Sequence, residues 1–93
     1  MKPETELRIN GPRLLDRLER LGSVGRREDG ATCRLALTDE DRQGRDLVVS
    51  WMRELGLDVR VDKVGNLFGL RSGQEDLPPV MTGSHIDTVA TAG

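Results

Sequence analysis

The chain has 93 residues, enough for at most one small domain. Apolar residues make up 35% and charged residues 32%, with a formal net charge of -2, so we expect a soluble protein without an electrostatic drive toward nucleic acids or membranes. One cysteine excludes an internal disulfide, and the first residues lack the basic and then apolar pattern of a signal peptide. The cytoplasm is therefore the expected compartment.

An amphipathic helix is predicted near the start of the chain. Asn10 is a suitable N-cap, and Gly22 is a natural stop, so the helix should span residues 11–21. Leucines at helical spacing give it one apolar face, namely Leu14, Leu15, Leu18 and Leu21. This face should pack on the rest of the domain.

Residues 23–37 form a predicted loop that is rich in glycine and charge and contains the common turn pair Asp29-Gly30. The loop is long for a simple connection, and long ordered loops are often functional. Cys33 lies within it and is interpreted as an unreactive, packed thiol. The alternative, a catalytic nucleophile, would require activation by the one histidine of the chain, which is better suited to another role.

A second helix follows the loop and has the clearest local signals. Thr38 can cap its start, the acidic residues 39–41 complement the positive end of its dipole, and Gly56 can close it. Its predicted buried stripe consists of Leu47, Val48, Trp51, Met52 and Leu55. Trp51 fits that stripe by spacing, which favours a core residue over a ligand platform.

Strands are predicted for the remainder of the chain. Apolar and polar residues alternate over 57–62, Gly65-Asn66 marks a reversal, and residues 67–70 continue as a second strand, which predicts an antiparallel hairpin. A third strand is expected to follow Pro78-Pro79 and to end near His85. The predicted order is helix, helix, strand, strand, strand, in the α/β class.

The strongest chemical signal is the stretch 80–89, in which an apolar start leads into His85, the one histidine, with Asp87 two residues beyond it. A neutral imidazole at a strand end can bind a divalent metal, and a nearby carboxylate can take up its second N–H. Spacing alone leaves two alternatives open, a hydrogen-bonded structural histidine and a turn aspartate ahead of Thr88. Catalytic zinc sites typically take three protein ligands, so His85 alone would be an incomplete site.

The sequence resembles a family of dinuclear-metal amidohydrolases that includes the N-carbamoyl-L-amino acid hydrolases and the allantoate amidohydrolases. This family lies within the larger metallopeptidase clan of aminoacylases and dipeptidases. The resemblance extends over residues 9–93, and its matching stretches are 29–38, 45–48 with 51–52, 59–69, 77–80 and 83–89. The last stretch alone indicates the clan, whereas 29–38 and 59–69 point to the carbamoylase and allantoate branch rather than to peptidases.

The resemblance implies that residues 1–93 are the amino-terminal portion of a metal-dependent catalytic domain, a mixed-sheet, three-layer α/β/α fold. It implies that His85 is a ligand of one of two divalent ions, which could be zinc, manganese, cobalt or nickel, and that Asp87 is the carboxylate that holds its imidazole. The family adds a metal-activated water to a ureido or amidine-type carbon, with a glutamate as general base.

Other consequences of the resemblance concern what the chain lacks. The family's bridging aspartate, glutamate base and later histidine follow the part that this chain resembles, so we expect the chain alone to be inactive. Residues 90–93 read Ala-Thr-Ala-Gly where the family usually has Pro-x-Gly-Gly, which could relax a rigid turn. The implied partners are a small-molecule substrate and a second subunit, bound through a separate dimerisation domain, with no nucleic acid or membrane.

Two other functions remain open at this point. The first keeps the clan and changes the substrate to a peptide or an N-acyl amino acid, as in peptidases and aminoacylases. The second is non-enzymatic, a truncated interaction module that keeps the amino-terminal fold. The length of the chain favours the second, whereas the presence of both His85 and Asp87 opposes it.

Overall fold

The computed structural model describes residues 6–93. Its elements are helix α1 (Gly11–Ser23), helix α2 (Asp39–Glu54), strand β1 (Asp58–Val61) and strand β2 (Leu67–Leu70). The predicted order is therefore found for the first four elements. The described residues form a small α/β unit with one antiparallel pair of strands.

Helix α1 begins where its capping residue predicts. The Asn10 side chain accepts a hydrogen bond from the Arg13 N–H, which satisfies one of the amides left unpaired at a helix start. The helix continues two residues beyond the predicted end because Gly22 remains helical, and the left-handed turn falls instead at Gly25, with φ 84°. Three of the four leucines on its apolar face are exposed, and Leu21 is half-buried.

Helix α2 is capped at both ends as predicted. The Thr38 hydroxyl accepts from the Asp41 N–H at 3.3 Å, and the Asp41 carboxylate accepts in turn from the Leu37 N–H at 3.1 Å. These two bonds, to Thr38 and from Leu37, provide hydrogen-bond partners for Asp41 in its buried position. At the other end, Gly56 takes the left-handed conformation, with φ 76°, that ends a helix at lowest steric cost.

The small core is centred on Trp51, which is the one buried apolar side chain among residues 6–93. The guanidinium carbons of Arg17 and Arg20 lie 5.3 and 5.4 Å from the centre of its ring, so α1 covers α2 through cation–π contacts. The prediction of Trp51 as a core residue is confirmed. The prediction of a buried Leu55 is wrong, because Leu55 is the C-cap residue beyond the last turn and is 56% exposed.

The hairpin is also confirmed, with Asp58 opposite Leu70 and Val61 opposite Leu67. Asp62 closes its turn, because the carboxylate accepts from the backbone N–H groups of Val64 and Asn66 and from the Asn66 side chain. The bond from the Asn66 side chain is the main reason that the pKa of Asp62 lies below its ordinary value.

The predicted third strand is not found, since residues 71–89 contain no strand in the described structure. A strand requires a neighbour to receive its backbone hydrogen bonds, and this stretch bonds through the Thr88 N–H to the Arg34 carbonyl of the loop between the helices, not to the hairpin. The apolar residues Val80 and Met81 are exposed instead of lying in a sheet. The three-layer architecture implied by the resemblance is therefore not present within residues 6–93. In this part of the chain, no helix has the length and apolar character needed to cross a bilayer.

Candidate functional site

The structure brings together the two predicted site residues, His85 and Asp87. The His85 Nδ1 atom lies 3.2 Å from the Asp87 Oδ1 atom and 3.0 Å from the Asp87 carbonyl oxygen. Both neighbours are acceptors, so they favour the neutral tautomer that carries its proton on Nδ1. That tautomer places the lone pair on Nε2, where an external ligand can reach it.

The exposure of the His85 ring also leaves Nε2 accessible to a ligand. The His85 side chain is 79% exposed, whereas the Asp87 side chain behind it is 46% exposed. A backbone carbonyl or a carboxylate that holds one ring nitrogen, while the other nitrogen stays open to a ligand, is the usual arrangement around metal-binding histidines. The donor set of these two residues thus fits one corner of a zinc or similar site. In residues 6–93, however, no three His, Cys, Asp or Glu side chains lie close enough to hold a metal ion.

The segment that carries these residues is irregular but well anchored. The Thr88 N–H donates to the Arg34 carbonyl at 2.8 Å, and the Thr88 hydroxyl accepts from the Arg34 N–H at 2.8 Å. Further along, Thr32 and Ala92 exchange backbone hydrogen bonds of 2.7 and 3.0 Å. The site segment therefore lies antiparallel against the long loop that connects the two helices.

The sequence analysis missed Arg34, which is 5% exposed and is the most buried charged residue in the described structure. Its Nε atom donates to the Ile86 carbonyl at 2.9 Å, and its Nη1 atom donates to the carbonyls of Leu21 and Val24 at 2.9 and 2.7 Å. One signal for it was present, because long ordered loops are often functional. The sequence did not indicate which residues it contacts, because all three acceptors are backbone carbonyls.

Cys33, the alternative nucleophile, is half-buried in the same loop. Its backbone N–H donates to the Gly25 carbonyl at 2.8 Å, which places it against the turn after α1. Within residues 6–93 its thiol makes no hydrogen bond to His85, whose Nδ1 atom is occupied by Asp87. The structure thus gives no support to the activation that a catalytic Cys33 would need.

Known proteins resemble this chain in sequence and in fold. The N-carbamoyl-L-amino-acid amidohydrolase of Pseudomonas sp. (strain NS671) is 48% identical over 86 residues, which are 91% of this chain and 21% of that protein. The allantoate amidohydrolase of Bacillus subtilis (strain 168) is 41% identical over 81 residues, or 86% of this chain and 20% of that protein. A crystal structure of a hydantoinase/carbamoylase family amidase from Burkholderia ambifaria matches with a TM-score of 0.90 at 46% identity, covering 94% of this chain and 22% of that one. No family model matches.

These similarities place the chain in a class of amidohydrolases. By sequence and by fold it belongs with the hydantoinase/carbamoylase family of amidases, so the predicted resemblance is confirmed. The chain spans about a fifth of the length of the curated relatives that it matches, 21% for the Pseudomonas protein.

Proposed function

We propose that the protein containing this chain hydrolyses a non-peptide C–N bond in an N-carbamoyl-L-amino acid or an allantoate-type ureido compound. His85 is then one ligand of a divalent metal site, and the cofactors are two divalent ions, zinc or alternatively manganese, cobalt or nickel. The observation that supports this function best is the pairing of His85 with Asp87, in which the His85 Nδ1 atom lies 3.2 Å from the Asp87 Oδ1 atom and the imidazole ring is exposed. The chain that carries this pair is 48% identical to an N-carbamoyl-L-amino-acid amidohydrolase.

Each residue has a separate task in this proposal. Asp87 accepts a hydrogen bond from Nδ1–H through its backbone carbonyl oxygen at 3.0 Å, and its carboxylate lies 3.2 Å from the same nitrogen, so Asp87 fixes the tautomer and orients the ring. His85 offers Nε2 to the metal. The bound ions would lower the pKa of a water molecule and polarise the carbonyl group that is attacked.

The 93-residue chain alone should not catalyse the reaction. Among the described residues, the metal-ligating groups do not form a cluster of three, and a catalytic zinc site typically takes three protein ligands. The second subunit of a homodimer, which the resemblance also implies, stays a prediction.

A chimera tests the assignment of His85. The 86 residues of the Pseudomonas relative that match this chain are replaced by the corresponding residues of this chain, and metal content and hydrolysis of an N-carbamoyl-L-amino acid are measured. We expect His85→Ala to lower hydrolysis by more than about 100-fold and Asp87→Asn by about 10- to 100-fold, in both cases with loss of bound metal. Gln74→Ala, in the exposed loop before the site, is the control. Full metal content and full activity in His85→Ala would disprove the assignment.

The substrate class needs a separate experiment, because a chimera keeps most of its host's substrate contacts. An antibody against residues 58–70 would isolate the polypeptide that the source cell makes, and its size would be measured. That polypeptide would then be offered N-carbamoyl-L-amino acids, allantoate and dipeptides. Hydrolysis of the first or second supports the proposal, whereas exclusive cleavage of dipeptides would favour the peptidase alternative.

A further inference from the structure

Arg34 connects three parts of the chain that are far apart in sequence. Its guanidinium group reaches the end of α1 through the carbonyls of Leu21 and Val24, and it reaches the site segment through the carbonyl of Ile86. Ile86 lies between His85 and Asp87, 52 residues away from Arg34. The Nε–H bond to Ile86 therefore fixes the peptide group between Ile86 and Asp87, on the short segment that connects the predicted ligand to its neighbouring carboxylate.

The backbone of Arg34 holds the same segment at a second point. It exchanges two hydrogen bonds of 2.8 Å with Thr88, one through the Thr88 N–H and one through the Thr88 hydroxyl. The segment is thus fastened on both sides of Asp87, at Ile86 by the side chain of Arg34 and at Thr88 by its backbone. Two fixed points define both the position and the direction of the residues between them.

Burial makes this attachment stiff. A charged guanidinium group that is removed from water is destabilising unless its N–H groups are hydrogen-bonded, so Arg34 cannot readily give up its carbonyl acceptors. The space around it is also limited, because a Cβ atom at Gly44 of α2 would lie 2.8 Å from the Arg34 Cδ atom and 3.2 Å from its Nε atom. Helix α2 therefore confines the side chain from the side of Gly44.

We infer that Arg34 is a positioning residue, which holds His85 and Asp87 in the geometry that presents Nε2 of the imidazole to a metal ion. The part of this inference that concerns metal binding rests on the proposed function. The hydrogen bond from Nε to Ile86 is the contact responsible, while the bonds from Nη1 contribute to the stability of the turn after α1. These two contributions can be separated by mutation.

Arg34→Lys is the discriminating variant. In an extended lysine, the Cε atom occupies the position of the arginine Nε atom, so the donor to Ile86 is lost while a positive charge remains near the carbonyls of Leu21 and Val24. The matched control is Thr32→Val. It removes the 2.7 Å bond from the Thr32 hydroxyl to the Gly22 carbonyl, at the same end of α1, without removing a side-chain contact to the site segment.

The first measurement uses the 93-residue chain, whose one histidine gives a single set of imidazole signals in ¹⁵N NMR. At a pH where the ring is neutral, we expect the wild-type chain and Thr32→Val to show the tautomer protonated on Nδ1. We expect Arg34→Lys to shift toward the Nε2-protonated tautomer that an unconstrained imidazole prefers. Identical ring signals in all three proteins, or an unconstrained ring already in the wild type, would overturn the inference.

The second measurement uses the chimera described above, below the melting temperature of the least stable variant. We expect Arg34→Lys to weaken metal binding by about 10- to 100-fold in a chelator competition, and Thr32→Val to leave it unchanged. Equal metal affinity in the wild type and Arg34→Lys would overturn the inference. If His85→Ala instead keeps its metal and its activity, the proposed function fails, while the tautomer of His85 in the 93-residue chain still decides whether Arg34 positions the ring.

Discussion

Two regions of this molecule are stabilised in different ways. The regular region, residues 38–70, contains α2 and the hairpin, and its backbone groups bond to near neighbours in sequence. The site region, residues 85–92, has no helix or strand, and it is held by bonds to residues such as Arg34, 52 and 54 positions earlier. The predicted site residues thus lie on irregular backbone, which the side chain of Arg34 holds in place.

The difference also shows in what each region requires of its sequence. In the regular region, capping residues and hydrophobic spacing favour one local structure, and packing around Trp51 then stabilises it. In the site region, no helix or strand forms, and the segment is held by hydrogen bonds from the side chain and the backbone of Arg34. Damage to the regular region should therefore change stability, whereas damage to Arg34 should change the geometry of His85.

The largest change in stability of the regular region is expected from Trp51→Ala. It should lower the free energy of unfolding by about 3–5 kcal/mol, because it removes the central core side chain and its contacts with Arg17 and Arg20. Urea denaturation followed by circular dichroism would measure it, since the variant lacks tryptophan fluorescence. Leu18→Ala, at a 58% exposed position on α1, is the control and should change stability by no more than about 0.5 kcal/mol. An unchanged midpoint for Trp51→Ala would refute the docking of α1 on α2.

Gly44→Ala tests the connection between the two regions. The added Cβ would lie 2.8 Å from the Arg34 Cδ atom, and Arg34 is pinned by its hydrogen bonds, so the side chain must shift. Relative to Gly11→Ala, where nothing lies within 4 Å of the added carbon, we expect a loss of about 1–3 kcal/mol in thermal unfolding. The ¹⁵N signals of His85 should change only in Gly44→Ala. If both variants are equally stable, Gly44 does not confine Arg34.

Thr38→Ala tests how far capping alone supports the regular region. Removing the hydroxyl leaves the Asp41 N–H without its cap and should destabilise the protein by about 1 kcal/mol in chemical denaturation. Ser50→Ala is a matched hydroxyl deletion within the same helix, where the Ser50 hydroxyl donates to the Leu47 carbonyl. Its effect should stay within about 0.5 kcal/mol. Equal effects of the two substitutions would contradict the role of Thr38 as a cap.

The smallest expected effect is the loss of hairpin-turn stability when Asp62 is protonated at low pH. Hydrogen bonds from Asn66 and Val64 lower the pKa of Asp62, so its ionised form stabilises the hairpin turn above the ordinary aspartate pKa, and this stabilisation is lost as pH falls through the lowered pKa. We expect the amide signals of Val64 and Asn66 to titrate below the range of an unperturbed aspartate. Asp62→Asn should abolish that transition. Titration in the ordinary aspartate range would show that the turn does not hold the carboxylate.

By itself, the sequence determined the local elements and the chemical candidates. Asn10 and Thr38 cap the two helices, the alternation at 57–62 marks the hairpin, and His85 with Asp87 marks the candidate site, because each of these signals acts over a few residues. The family resemblance was also readable, since it rests on stretches of consecutive residues. Over such short distances, backbone preference and side-chain spacing are sufficient.

Only the tertiary structure decided how the site is held. The third strand was expected from its apolar run, but a strand depends on a pairing partner, and pairing is not encoded within the run itself. Arg34 lies in the matching stretch 29–38, but its role could not be read from that stretch, because its acceptors are the carbonyls of Leu21, Val24 and Ile86, which any residue type would supply. Side-chain bonds to backbone atoms across 52 residues leave no local pattern, so they become visible only after the chain has folded.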